Sequence, residues 1–282
     1  MRGGTERGDA RGMISRRIVV LVCFAGPAWA ADADLLTKVK AAGVLKIGTD
    51  AAFAPFDFFE NGATTGFNYD LMAEVAKEIG VRVSYIALPW EGVVSALDAS
   101  KFDMVTGPAT ITKARMERYR FTLPIADATC ALLKKAGDQT LTKPADIAGK
   151  PVGSAKATAQ LDQLRKFSAT LPAPATIREY QDFNAAYADL AAGHIAAVAN
   201  SLSNIAYVAA QRSGSFALVS PAFGDKSYFA YFVRKDSASA SLADALDAAL
   251  RTIKGDGRLE KLQQKWFGMA FETPDAVPPP SM

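Results

Sequence analysis

Cysteine is nearly absent from this sequence: its 282 residues hold two, Cys23 and Cys130. Cys23 falls in an apolar stretch near the start. A mature chain that loses that stretch keeps one thiol, can form no internal disulfide, and must draw its stability from packing. Histidine is scarcer still. His194 is the only one; it follows Gly193 in an expected surface turn, where a lone imidazole argues against a Ser-His-Asp arrangement. There is no H-E-x-x-H, no cysteine pair and no G-x-x-x-x-G-K-[ST] loop, so metal and nucleotide chemistry lack support. No catalytic residue, metal or cofactor is expected. No apolar run reaches the roughly 20 residues that span a bilayer, and no Pro/Ser-rich linker interrupts the chain.

What is present begins with a leader. Arg16 and Arg17 precede the apolar run from Ile18 to Gly26, which ends at Ala28-Trp29-Ala30. This is the order of a secretory signal peptide over residues 1–30, with cleavage expected after Ala30, whether translation starts at Met1 or Met13. The expected destination is the periplasm. The formal charge of +3 belongs largely to the leader: without its five arginines and two acids, basic and acidic residues become equal in number. A neutral mature chain has no electrostatic basis for binding nucleic acid or an anionic membrane.

Strand and helix patterns then alternate. Val44 to Gly48 reads as a strand, followed by an aromatic-rich loop with Phe53, Phe56, Phe58 and Phe59. Tyr69 to Ile79 has helical spacing and stops at Gly80. Val81 to Ile86 alternates as a strand, and Trp90 to Ala99 as an amphipathic helix. The pattern restarts at Ala128 to Lys135 and runs through a strand over Pro151 to Ser154, helices over Ala159 to Phe167 and Gln181 to Ala192, a strand over Ile195 to Ala199, and a helix over Ser203 to Arg212. Such alternation predicts parallel sheets with helices on both faces, whose ligands sit beyond the carboxyl ends of the strands. Thr273 to Met282, with its three prolines, reads as an unpacked tail.

The stretch Val105 to Phe121 carries the strongest chemical signal. The spacing predicts a strand over Phe102 to Val105, a turn at Thr106-Gly107-Pro108, and a short helix capped by Thr112. Arg115 then lies in the first helical turn, where the helix dipole disfavours a cation by up to about 1 kcal/mol. A bound carboxylate would account for it: the guanidinium grips both oxygens, while the Thr110 hydroxyl and backbone N–H groups supply further donors. The plain alternative is a solvated surface arginine.

Taken together, Ile47-Gly48-Thr49-Asp50, Phe53-Ala54-Pro55-Phe56, Gly66 to Leu71, Trp90-Glu91-Gly92, Thr110-Ile111-Thr112 with Arg115, Gly149 to Gly153 and the closing Lys265-Trp266-Phe267-Gly268 resemble the periplasmic polar amino acid-binding proteins of ABC importers, solute-binding protein family 3. The resemblance spans nearly the whole mature chain. It implies an α/β, two-lobed periplasmic-binding-protein fold of type II. Each lobe would be a mostly parallel sheet flanked by helices, and two hinge strands would join them. Lobe 1 would be residues 31–125 plus 229–270 and lobe 2 residues 130–223. The hinge would be 126–129 and 224–228, leaving 271–282 as a flexible tail. The implied function is capture of an amino acid or related small carboxylate by a monomer and its delivery to a membrane permease.

The resemblance also implies roles. Arg115 and Thr110, with the N–H groups at Thr158 and Ala159, would hold the ligand carboxylate. Phe53 and Trp90 would flank its side chain, and Asp50 would meet that chain's polar end. The Pro108 carbonyl would accept from the ligand ammonium. One position departs from the pattern: Ser201 stands where the family usually places an acid against that ammonium. A desolvated ammonium without a counter-charge is costly, so a carboxylate lacking the α-amine, or a derivatised amino acid, becomes credible. Two rival functions follow from the same fold. One is a periplasmic lyase of the cyclohexadienyl or arogenate dehydratase type, with Glu91 or Asp50 as its acid. The other is a ligand-sensing subunit for a membrane receptor.

Overall fold

The computed structural model describes Met1, Gly3, Gly4, residues 34–268 and residues 270–280. The expected leader and its cleavage point lie outside these, apart from the first three. In chain order, α1 (Leu35–Ala42) leads into β1 (Val44–Thr49), then the short strands β2 (Ala52–Phe53), β3 (Asp57–Glu60) and β4 (Ala63–Thr65). There follow α2 (Phe67–Ile79), β5 (Arg82–Ala87), α3 (Trp90–Asp98), β6 (Met104–Thr110), α4 (Lys113–Arg118), β7 (Tyr119–Phe121) and β8 (Ala126–Asp127). Next are β9 (Cys130–Lys135), a 3-10 turn over Pro144–Ile147, β10 (Pro151–Ala155), α5 (Ala159–Ala169), β11 (Thr176–Tyr180), α6 (Phe183–Ala192), β12 (Ala197–Ser201) and α7 (Leu202–Gln211). The chain closes with β13 (Phe216–Phe223), β14 (Tyr228–Arg234), α8 (Ala240–Gly255) and α9 (Arg258–Phe267).

Two sheets carry the architecture. The first runs β5-β1-β6-β14-β7, with β8 also paired to β14; the second runs β11-β10-β12-β9-β13. In each, the strands reached through helices pair in parallel: β1 with β5 and β6, and β10 with β11 and β12. The sheets are mixed, because β14 runs antiparallel to β6 and β7, and β9 antiparallel to β12 and β13. The chain leaves the first sheet after β8 and returns to it in β14, and the two segments pair through Tyr228 with Asp127 and Phe229 with Ala126. Lys226 Nζ also bonds the carboxylate of Asp127.

Local sequence explains most element ends. Gly80 closes α2 in the left-handed conformation, its N–H donating to the Ala76 carbonyl, as a residue without Cβ permits. Thr112, Thr158, Asp182 and Ser201 each accept a backbone N–H from three residues on, capping α4, α5, α6 and α7. Two sequence expectations change. The turn at Thr106-Gly107-Pro108 is absent. β6 passes straight through it because Val105 pairs with Phe232 and Ala109 with Ala230, which leaves only Tyr231 opposite these three residues. That bulge accommodates a proline, which has no N–H to give the ladder. Nor is the start of the tail unpacked. Phe271 stacks edge-on against Phe267 at 5.2 Å, Thr273 is buried, and Asp275 pairs with Lys254 at 2.7 Å. Among the described residues, no helix is long and apolar enough to cross a membrane.

Each sheet is covered on both faces by apolar side chains. In the first, Gly48 lies beneath the ring of Phe102, which a Cβ would meet at 2.3 Å. The same region buries a polar group. Asp57 is fully buried; its Oδ2 accepts from Asn68 Nδ2 at 2.6 Å, Asn68 Oδ1 accepts from the Tyr231 hydroxyl at 2.7 Å, and Asp57 Oδ1 has no partner among the described residues. Burial pushes the Asp57 carboxyl up to about 7, against the opposing bond from Asn68.

Two predictions follow from this packing. Gly48→Ala forces Phe102 aside and is expected to destabilise the protein by about 1–3 kcal/mol, read from urea unfolding. The Asp57 carboxyl ionises near pH 3.8 when unfolded and near 7 when folded. The native state therefore holds the extra proton between these values, and this group's contribution to stability falls as pH rises from 4 to 7, by an amount on the order of 4 kcal/mol. Asp57→Asn keeps the acceptor for Asn68 and cannot ionise. Its stability relative to the wild type should therefore increase from pH 5 to pH 8 in urea unfolding at each pH; a constant difference would contradict the assignment.

Candidate functional site

A cavity of about 40 Å³ lies between the two sheets, at the carboxyl ends of β1, β6, β10 and β11, and its lining includes Asp50, Phe53, Trp90, Pro108, Thr110, Arg115, Thr158 and Ala159. A water molecule needs roughly 10–15 Å³ by this measure, so the space holds about three. The carboxyl-end location follows from sheet topology, since the loops there are the ones free of the pairing that builds the sheets.

Arg115 is positioned from both sides. α4 begins immediately after β6, and its cap, the Thr112 hydroxyl, accepts from the Arg115 N–H. The side chain then folds back over the strand end, where Nη1 donates to the Thr110 carbonyl at 3.0 Å, and Nη2 reaches the Ala157 carbonyl of the second sheet's β10–α5 turn at 3.1 Å. Its guanidinium lies 5.7 Å from the centroid of the Trp90 ring. Burial pulls its pKa down to about 10, against the opposing pull of Asp162, so the group stays charged at neutral pH.

Trp90 makes the parallel contact. It opens α3, lies over Gly107, where a Cβ would meet its ring at 2.9 Å, and donates from Nε1 to the same Ala157 carbonyl at 3.1 Å. Thr110 Oγ1 accepts from Gln160 Nε2 at 3.2 Å, which leaves its own proton to donate. Across the turn, the Thr158 hydroxyl caps α5, bonding the Leu161 N–H at 3.2 Å and the Ala155 carbonyl at 2.7 Å. The first N–H groups of such a helix, here those of Ala159 and Gln160, have no intrahelical acceptor. Phe53 joins the two sides, its ring 5.4 Å from Phe183 and 5.5 Å from Phe56. Phe56 is fully buried and does not line the cavity.

The acidic side is equally defined. Asp50 follows β1 and spends Oδ1 on the Ala52 N–H at 3.0 Å. Desolvation pushes its carboxyl up to about 6; the Ala52 bond opposes this and the charge of Asp182 adds to it. Asp182 lines the same cavity from the second sheet, at the start of α6.

Ser201 is the one expected residue that does not line the cavity. It is fully buried at the end of β12, where its hydroxyl accepts from the Asn204 N–H and meets Ser203 Oγ at 3.3 Å. Its neighbours are neutral: Asn200 Nδ2 donates to the Tyr187 hydroxyl at 2.9 Å, and Asn204 Nδ2 bonds the Ala54 carbonyl across the sheets. His194 is exposed, its Nδ1 2.9 Å from Asp189 Oδ1 and away from the site. Among the described residues, no group of three or more His, Cys, Asp or Glu could hold a metal ion.

The cavity also takes in Gln160, Gln181, Asp182 and Phe183, which the sequence reading passes over. Gln160 carries a signal, since it follows Thr158 and Ala159 in the same helix turn. Asp182 carries none, because Thr176–Tyr180 lacks the apolar alternation of a strand and its carboxyl end is not placed by the sequence.

Comparison with known proteins agrees with this geometry. The pattern of the bacterial extracellular solute-binding proteins, family 3, matches residues 45–269. The chain is 30% identical over 240 residues to the L-cystine-binding protein TcyJ of Escherichia coli, covering 84% of this chain and 88% of the relative. It is 26% identical over 230 residues to the L-arginine-binding protein of Pseudomonas aeruginosa, covering 79% and 87%. Among solved structures, an ancestral arginine-binding protein bound to arginine superposes with a TM-score of 0.73 at 30% identity, covering 80% of this chain and 99% of that one. An ancestral amino acid-binding protein described as a precursor of cyclohexadienyl dehydratase gives 0.74 at 29%, covering 83% and 100%. The fold is thus the two-lobed α/β architecture of periplasmic amino acid-binding proteins, and the chain belongs to the bacterial extracellular solute-binding proteins, family 3, as an extracytoplasmic solute-binding protein.

Proposed function

We propose that the protein, acting as a monomer in the periplasm, captures an amino acid or related small carboxylate between its two lobes and delivers it to the membrane permease of an ABC importer. Lobe 1 comprises residues 31–125 and 229–270, lobe 2 residues 130–223, and the chain swings about 126–129 and 224–228. The observation that carries this reading is Arg115, a charged guanidinium in a partly dried cavity whose two acceptors, the carbonyls of Thr110 and Ala157, come from opposite sheets. A ligand carboxylate is a stronger acceptor than either, because bonds between ionised partners are roughly twice as strong as neutral ones.

The cavity's small volume supports movement as part of binding. A solute larger than a few waters enters only if the sheets part, which breaks the bonds from Trp90 and Arg115 to Ala157 and from Gln160 to Thr110. Closure over the solute restores contacts from both sides, so ligand shifts the open and closed populations. The carboxylate then lies against Arg115, Thr110 and the N–H groups at Thr158 and Ala159. Its carbon chain lies between Phe53 and Trp90. The names of the relatives, which include cystine-binding and arginine-binding proteins, support amino acids as the solute class and a transport role over an enzymatic one.

A second reading keeps a specific observation in its favour. The Asp50 carboxyl, pushed up to about 6 in the cavity, is suited to proton transfer near neutral pH, and one structural neighbour is described as the precursor of a dehydratase. Chromatographic product analysis after incubation with cyclohexadienyl substrates separates the two, since a transport protein returns them unchanged.

Arg115→Ala is expected to weaken carboxylate binding at least about a hundredfold, the loss of a charged, partly dehydrated bond, with an unchanged circular dichroism spectrum. Calorimetric titration against a panel of amino acids checks it, and retained affinity would remove Arg115 from the site.

A further inference from the structure

The chain crosses between the two sheets twice. Ala128 and Thr129 lead from β8 to β9, and Gly224 to Ser227 lead from β13 back to β14. The crossings are bonded to each other, the Ala128 N–H donating to the Ser227 carbonyl at 2.9 Å. One helix meets both. α5 begins at the cavity with Ala159 and Gln160; Gln160 Nε2 lies 3.4 Å from the Ala128 carbonyl, and Gln163, further along the helix, lies against Gly224. The first turns of α5 therefore connect the cavity lining with both places where the chain must bend if the sheets part.

Gln163 is poorly suited to a static core. It is 3% exposed, and neither its Nε2 nor its Oε1 has a partner among the described residues. The Ser227 hydroxyl, on the crossing that Gln163 touches, is likewise buried and without a partner. The contact with the crossing is close: Gly224 holds φ +79°, and a Cβ there would stand 1.9 Å from Gln163 Oε1. A buried amide without partners loses its hydration and gains no bond, and such groups are rare enough in folded proteins to need a reason. Methionine would fill the same space without that loss. Because Gly224 lies in a crossing, parting of the sheets turns its backbone relative to α5 and admits water to the Gln163 amide. The loss belongs to the closed arrangement.

We infer that Gln163 is a positioning residue that holds the empty protein open: its unmet amide raises the free energy of the closed form, and a solute bound at Arg115 must offset that rise before the lobes shut. This rests on capture by closure, as proposed above, and names the residue that sets its threshold. The effect does not depend on which solute is bound. When only a fraction of the protein is in the binding-competent form, every apparent affinity falls by that fraction. Gln163 therefore scales the affinity for all solutes by one factor and leaves the choice among them to the cavity. An empty protein held open also differs in shape from a loaded one.

The test is the distance between spin labels at Lys101→Cys and Ser213→Cys, exposed positions on the two lobes, measured first without solute. Gln163→Met keeps the reach of the side chain and removes both unmet groups. It should raise the ligand-free fraction at the closed distance of this structure at least about fivefold. Gln163→Glu keeps a polar end and should leave the ligand-free protein open, whereas a side chain that only packs would let the two substitutions act alike. Urea unfolding confirms that both variants fold. In calorimetric titration with L-arginine and L-cystine, each solute that binds should bind Gln163→Met more tightly by the same factor. A wild-type protein already at the closed distance without solute, or a Gln163→Met distribution that matches the wild type, overturns the inference while leaving carboxylate capture intact. A gain for one solute and not for another overturns it as well. If the ligand-free distributions shift as expected but no carboxylate in the amino acid panel moves the wild type to the closed distance, the threshold set by Gln163 stands and carboxylate capture fails.

Discussion

The arrangement of the site turns on one backbone carbonyl. That of Ala157 accepts from Trp90 Nε1 and from Arg115 Nη2, so a single peptide group in the second sheet's β10–α5 turn holds two side chains of the cavity lining, one from α3 and one from α4. Ala157 has φ +56°, a left-handed conformation that costs a residue with a Cβ on the order of 1–2 kcal/mol. The turn tolerates it between the end of β10 and the cap at Thr158, where the chain must reverse within two residues. Ala159 and Gln160, the first residues of α5, line the same cavity as both partners.

From this constraint the chemistry follows. A guanidinium that is half-dried and bonded only to neutral carbonyls is charged but under-compensated. The strongest acceptor available to it is an anion, and one with two oxygens suits the planar fork. The helix start beyond Ala157 offers unpaired N–H groups to the same anion. At the other side of Trp90 the cavity is lined by the two carboxylates Asp50 and Asp182.

The sequence revealed what is local and concealed what depends on register. Thr112, Thr158 and Gly80 announce helix ends through their own side chains or the lack of one, and the structure uses each in that way. Arg115 was readable because a cation in the first turn of a short helix needs an explanation. Pro108 misled because a Gly-Pro pair ordinarily marks a turn; here a bulge opposite Tyr231 lets the strand continue, and only the pairing partner shows it. Thr176–Tyr180 escaped notice because its residues are mostly exposed or half-buried, without the apolar alternation that marks a strand. Asp182 escaped with it. Ser201 is set beside the ligand by the resemblance alone, at the position where the family usually has an acid, but its hydroxyl turns into the cap of α7, a choice made by packing that a matched position does not reveal.

Cys130 is fully buried, and burial raises its thiol pKa, so labels can be attached at introduced cysteines on the two lobes with little competition from it. The central claim is that both lobes close on a carboxylate at Arg115. It is tested most directly by the distance between spin labels at Lys101→Cys and Lys166→Cys, exposed positions on lobes 1 and 2, recorded while a bound carboxylate is titrated. The account predicts that the distance distribution narrows toward a single closed value as ligand saturates, and that this narrowing is lost with Arg115→Ala. A ligand that binds at Arg115 and leaves the distribution unchanged would contradict it.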